Sequence, residues 1–210
     1  MNRNKSNKTY LKIKRIMDTI FSLFMMAPFV ALFLIIKIIY VLSKDYKNII
    51  FKQERIGKEG KKFEIYKFRT MTPDADKQLS ELLEKSDNKQ EWEEYHKFKD
   101  DPRITPIGLF LRKTSIDEFP QFINVLKGEM SVIGPRPLVE GELEQHNGDK
   151  KYWNVRPGIT GWWACNGRSN MKYEKRLQYE YYYVDNISLA LDIKIIIKTI
   201  LCILKKSGSY

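Results

Sequence analysis

The sequence predicts an α+β fold, mostly helical: a single domain with a small β-hairpin, an N-terminal re-entrant membrane helix and interfacial amphipathic helices. Three observations predict it. A 27-residue apolar run extends from Ile16 to Leu42. Two alternating segments flank a Gly- and Lys-rich turn between Ile49 and Met71. A second apolar run, Leu189 to Leu204, carries polar residues at helical spacings. A chain of 210 residues makes one domain of ordinary size. Hydrophobic residues at 43% and charged residues at 30% exclude a disordered tail and a polytopic transporter.

The first run is framed by charge. Residues 1–15 carry a net +6, residues 43–62 a net +4, and the whole chain +11. Such a surplus points to an anionic partner. Basic blocks that flank an apolar segment, without aromatics interleaved on a basic stripe, favour a lipid surface over nucleic acid. The run is long enough to span a bilayer. Three details argue against simple spanning. Both flanks are basic, so both prefer the cytoplasmic side. Pro28 lacks a backbone donor and predicts a kink or break. Asp18 and Lys37 are costly at depth. Splitting at Pro28 leaves arms of 12 and 15 residues, each roughly 20 Å long, about one leaflet with its headgroups. A helix that enters, bends and returns on one face satisfies all three, against the alternative of an ordinary transmembrane helix with a tolerated proline. The expected division is therefore residues 1–44, a basic N-terminus and membrane helix, and residues 45–210, a cytoplasmic body.

The body reads in order. Residues 49–71 predict the hairpin. Residues 74–100, punctuated by Leu79, Leu82, Leu83, Trp92, Tyr95 and Phe98, predict a solvated amphipathic helix or helical pair. Asp101-Pro102 and Thr105-Pro106 predict turns. Phe119, Phe122, Ile123 and Leu126 predict one helix face, ended by Gly128. Ser188 predicts a cap for Leu189–Leu204, which reads either as a helix lying on the membrane or as a buried core helix.

Metal and nucleophile chemistry is thinly supplied. Two histidines and two cysteines, far apart, give no zinc site and no disulfide framework. Attention falls on Thr114-Ser115-Ile116-Asp117-Glu118, where a helix is expected to begin. Ser115 with Glu118 fits a capping box. The same position fits chemistry: a helix N-terminus keeps Asp117 ionised and draws a phosphate toward it. An ionised carboxylate beside a phosphoryl group is a competent nucleophile. Mg²⁺ is the usual means of offsetting the repulsion. Arg136, between two prolines, has a rigid origin that suits bidentate phosphate binding. The glycine turns at 156–161 and 166–168 bring Arg156 and Arg168 into a candidate anion pocket. A surface or structural role fits each arginine equally.

These residues together resemble the small bacterial sugar transferases, the monotopic phosphoglycosyl transferases that start glycan assembly on undecaprenyl phosphate. The resemblance covers about Lys14 to Leu204. It rests on KRIMDTIFS, IYKFRTM, DPRITPIGLFLRKTSIDEFPQ, GEMSVIGPRP, RPGITGW, NGR and YYVDNISLALDIKIIIKTI, in that order. It implies a catalytic dyad of Asp117 and Glu118, with Asp117 attacking the β-phosphorus of a UDP-sugar and releasing UMP. Polyprenyl phosphate then displaces the aspartate. Glu118, with Asp117, is implied to bind Mg²⁺. Arg112, Arg136, Arg168, Lys67 and Arg69 are the expected substrate-binding side chains. Lys14, Arg15, Asp18 and Pro28 are expected at the membrane surface and its headgroups. The implied location is the cytoplasmic face of the bacterial inner membrane, with a homodimer as one arrangement and no nucleic-acid partner.

Two departures bear on specificity and shape. Gly161-Trp162-Trp163-Ala164-Cys165 stands where the family often reads GWAQV, which leaves the sugar open. Ala27 stands where a serine usually precedes the proline, which leaves the bend angle open. Larger members carry a multi-helix membrane domain ahead of this unit; none is expected here. The rivals are a glycosyltransferase that releases UDP and a non-catalytic scaffold binding anionic lipid or sugar nucleotide.

Overall fold

A computed structural model describes residues 3–84, 98, 100–167 and 173–204. Helix α1 runs from Arg3 to Leu42. The hairpin follows, β1 Ile50–Ile56 and β2 Lys62–Phe68, antiparallel with Phe51 opposite Lys67 and Arg55 opposite Phe63. Helices α2 (Ala75–Leu83), α3 (Pro106–Thr114) and α4 (Gln121–Lys127) come next. Strand β3 (Ser131–Ile133) pairs in parallel with β4 (Gly158–Thr160), and the short α5 (Glu142–Gln145) lies between them. Two helices close the described fold, α6 (Tyr173–Asn186) and α7 (Leu189–Leu204). The α+β, mostly helical expectation holds.

Local chemistry accounts for most boundaries. Thr105 accepts from the Gly108 N–H at 3.0 Å and Pro106 opens α3, so residues read as a turn are also a helix start. Gly128 takes φ 85 and ends α4 as expected. Ser188 Oγ accepts from Leu191 N–H at 3.3 Å and starts α7. Gly108 allows α3 to lie against the hairpin's exit, since a Cβ there would overlap the Thr70 carbonyl. In the acidic segment, Ala75–Leu83 is helical as expected; Trp92 and Tyr95 fall outside the described residues.

Helix α1 departs from expectation in two ways. It is helical through Pro28, with no break into two arms. Pro28 is exposed, so the Phe24 carbonyl that loses its partner and meets the ring also lies on the outer side. The helix also touches the body along its length. Phe21 meets Phe122 at 5.8 Å, Phe29 stacks on Phe68 at 6.0 Å, and Ile36 and Tyr40 are buried with Ile49, Phe68 and Leu111. Its other side exposes Ile16, Ile20, Leu23, Phe24, Leu34 and Ile38 to the surroundings.

The charges expected at the headgroups turn inward. Lys14 is 7% exposed and Asp18 6%. Lys14 Nζ donates to Asp192 Oδ2 at 2.6 Å, joined there by the Tyr10 hydroxyl at 2.6 Å, while Tyr183 donates to Oδ1 at 2.9 Å. Asp18 accepts from Ser131 Oγ at 2.7 Å and from Val132 N–H at 3.2 Å. Arg15 donates to the carbonyls of Val125 and Leu126 at the end of α4. A buried charge requires a partner, and these find theirs inside the protein. The network ties α1 to α7, α6 and β3.

Breaking one half of this bridge strands a buried charge, which costs about 3 kcal/mol or more. Lys14→Met and Asp192→Leu should each lower the unfolding midpoint in detergent micelles, and the double variant should recover most of the loss. Additive losses would show that the two do not form a coupled pair.

Candidate active site

The end of β2 and the junction of α3 with α4 meet over four charges. Ser115 closes α3 in the left-handed conformation, φ 57, and its N–H returns to the carbonyls of Leu111 and Arg112. Ile116–Glu118 then form one 3-10 turn, and α4 begins only at Gln121. The expected capping box is therefore absent: the Ser115 side chain makes no cap bond, because its backbone is ending one helix rather than opening the next. Asp117 and Glu118 sit on a tight corner ahead of α4 instead of in its first turn.

Their surroundings differ. Asp117 is 9% exposed, whereas the Glu118 side chain is 35% exposed and accepts from Lys67 Nζ at 2.9 Å. Burial, then the adjacent Glu118, pushes the Asp117 carboxyl up to about 6; Lys67 and Arg112 oppose that rise. Arg112 is held in place by its Nε donating to Thr70 Oγ1 at 2.9 Å. Two acids thus face two bases, one acid buried and one open. Thr70 is a site residue that the sequence reading missed, although IYKFRTM already contained it.

The remaining expected side chains stand elsewhere. Arg69 pairs with Asp45 at 2.9 Å, donates to the Asn48 carbonyl at 2.8 Å and covers the Tyr40 ring at 4.7 Å. Its expected substrate contact is corrected to a clamp between the end of α1 and the hairpin; Asp45, just beyond α1, takes its charge. Arg136 donates from Nη1 to Glu142 Oε1 at 2.9 Å, and Arg176 shares the same oxygen at 2.8 Å. Arg55 donates to the Pro137 carbonyl at 3.4 Å, so this basic cluster lies at the far end of the hairpin from Lys67. Arg55's partner Phe63 lies four residue steps before Lys67 along β2, about 13 Å. Arg156 donates to the Gly128 carbonyl at 2.7 Å. Arg168 lies outside the described residues. The glycine turns pack on each other: a Cβ on Gly134, Gly158 or Gly161 would overlap neighbouring backbone. Close packing, not an open anion cradle, explains those glycines.

Among the described residues no cluster of three or more His, Cys, Asp or Glu stands ready for a metal. The Asp117–Glu118 pair nevertheless fits Mg²⁺. That ion takes one or two carboxylates, keeps waters and completes its shell with substrate phosphate. Glu118 already carries a cation, Lys67, at bonding distance.

Comparison with known proteins matches the chain to a family. The model of the family described as bacterial sugar transferase matches residues 9–206. A UDP-galactose-lipid carrier transferase of Erwinia amylovora is 46% identical over 82% of this chain and 37% of its own length. An undecaprenyl-phosphate galactose phosphotransferase of Salmonella typhimurium is 40% identical over 99% of this chain and 44% of its own. The chain therefore spans less than half the length of these two relatives. It spans 88% of the exopolysaccharide production protein ExoY of Rhizobium meliloti, at 39% identity over 94% of this chain. The chain belongs to the bacterial sugar transferase family.

Proposed function

We propose that the protein transfers a sugar 1-phosphate from a UDP-sugar to polyprenyl phosphate at the cytoplasmic face of the bacterial inner membrane, releasing UMP. The names of the relatives support the two substrate classes, and their family supports a role in polysaccharide assembly. The observation that carries the mechanism is Asp117 itself. It is a buried carboxylate of raised basicity, beside an open acid and two bases.

The reaction divides into two displacements. An Asp117 oxygen attacks the β-phosphorus of the donor. The bond from that phosphorus to the oxygen bridging to the α-phosphorus breaks, and UMP leaves with the electron pair. A phosphate oxygen of the polyprenyl acceptor then attacks the same phosphorus, and the aspartyl oxygen leaves. A carboxylate more basic than usual is the better nucleophile, and at neutral pH it is still ionised. Lys67 and Arg112 are placed to accept the diphosphate's charge, and Glu118 with Asp117 would hold Mg²⁺, which neutralises phosphate charge when bound. Ping-pong order suits one soluble and one lipid substrate, because each visits the same carboxylate in turn.

One-sided membrane seating has its own support. Tyr10, Lys14 and Asp18 near one end of α1 and Tyr40 near the other are bonded to the same body. A helix whose middle crosses the bilayer separates its ends by the bilayer's thickness. The exposed apolar faces of α1 and α7 suit insertion from one side.

Protein incubated with UDP-sugar and Mg²⁺ alone should carry a phosphosugar on Asp117 by mass spectrometry. Adding lipid phosphate should discharge it with one UMP per product, and Asp117→Asn should reduce turnover at least a thousandfold. Release of UDP, or an active Asn variant, would refute the mechanism. The pH profile of kcat/KM should fall on the acid side near 6. The same shift has a stability sign. The folded pKa of about 6 exceeds the ordinary 3.8, so ionised Asp117 costs stability. That cost grows from pH 4 to pH 6 and is complete above. Asp117→Asn should therefore be more stable than the parent at pH 7.5, by about 3 kcal/mol, and gain nothing near pH 4. Finally, cysteines placed at residues 5 and 47 should both react with impermeant label from the cytoplasmic side; opposite-sided labelling defeats the topology.

A further inference from the structure

Arg136 is held from behind. It stands in Pro135-Arg136-Pro137, and proline has no N–H, so Arg136 supplies the one backbone donor of the three residues. That N–H donates to Glu180 Oε1 at 3.0 Å, and the Arg136 carbonyl accepts from the Tyr152 hydroxyl at 2.8 Å. Glu180 is 0% exposed and Tyr152 1%. Both backbone groups are thus pinned by buried side chains from two separate elements. The guanidinium, 31% exposed, pairs with Glu142.

The mechanism above makes no use of Glu180. An aspartate or glutamate buried without a cation bonded to it is costly, and Glu180 Oε2 is buried with no hydrogen-bond partner. We propose that Glu180 is a positioning residue for Arg136: it fixes the only donor of the Pro-Arg-Pro turn so that the guanidinium meets the anionic donor nucleotide. This rests on the function proposed above and on Arg136 serving the donor.

The role has a built-in pH signature. Complete burial pushes the Glu180 carboxyl up to about 8, against the pull of Arg136, Arg176 and Tyr152. At pH 7 it is neutral and still accepts through Oε1. The groups that face it or complete its cluster are Arg136 from the turn, Tyr152, Glu142 from α5, Arg55 from β1, and Arg176 and Tyr173 from α6. With Glu180 neutral, three arginines stand against Glu142. Ionisation above about pH 8 adds a second negative charge there, which lowers the attraction for an anionic donor.

The test is the donor KM of the full-length membrane enzyme between pH 6.5 and 9, for the parent, Glu180→Gln, Glu180→Leu and Arg136→Ala. The parent KM should rise roughly three- to tenfold above pH 8, as expected for one added charge near the binding site. Glu180→Gln, which keeps the acceptor but cannot ionise, should match the parent at pH 7 and stay flat. Glu180→Leu, confirmed folded by circular dichroism, should raise KM about tenfold with kcat within twofold. An unchanged pH rise in Glu180→Gln overturns the proposal, as does an unchanged KM in folded Glu180→Leu. If Leu does not fold, the Gln profile decides alone. Arg136→Ala separates the levels. If it raises donor KM while the Glu180 variants do not, only the positioning role falls; if it leaves donor KM unchanged, the assignment of Arg136 to the donor falls and takes the positioning role with it.

Discussion

The constraint on which this protein turns is the burial of one carboxylate next to another. Asp117 and Glu118 are consecutive, so their charges repel at a distance the chain itself sets. Two bases, Lys67 from the hairpin and Arg112 from α3, oppose that repulsion. Each base is brought there by a separate piece of folding. Lys67 arrives because the hairpin register ends beside the 3-10 turn. Arg112 arrives because Gly108 lets α3 close on Thr70, whose hydroxyl then takes the guanidinium Nε. Without the corner at Ser115 the two acids would sit in a regular helix, about 100° apart and facing different neighbours. The left-handed residue is what points one inward and leaves the other open.

What the sequence disclosed follows from how local each signal is. The hairpin was legible because alternation and a Gly-Lys turn are carried within 23 residues. Gly128, Ser188 and the α7 run were legible for the same reason. The Asp-Glu pair stands out in the sequence, but its backbone was misread: Ser-x-x-Glu looks the same whether serine opens a helix or closes the previous one, and only the packing of α3 decides. The charges of α1 were misread because their partners are distant. Lys14 and Asp192 are 178 residues apart, and no window along the chain shows that they meet. Arg69 was drawn to the site by its neighbourhood in IYKFRTM, yet Asp45 claims it. Thr70, in the same motif, does serve the site, as a support to Arg112. Glu180 is not legible because it stands between Tyr179 and Tyr181, and nothing along the chain shows that its carboxyl is buried against the Arg136 N–H.

Helix α1 joins the two halves of the problem. A greasy helix with a proline and flanking bases invites a picture of insertion with the protein hanging below. The contacts reverse the emphasis. One side of α1 is a structural wall of the body, closed by the Lys14–Asp192 bridge at one end and by Tyr40 over Arg69 at the other. The other side remains apolar and exposed. A helix used in this way cannot be withdrawn from the fold without leaving Asp192 buried and without its cation, and taking Lys14 and Asp18 from their partners. Helix α1 and the body it packs on are therefore one cooperative unit. The proposed transfer to a lipid acceptor gains from that arrangement, because the exposed apolar surface and the corner that carries Asp117 keep a fixed relation. The link is direct: Phe21 of α1 packs on Phe122, which stacks edge-on against Phe119, two residues after Asp117. The placing of the exposed apolar face of α1 and the position of the carboxylate are set by the same packing.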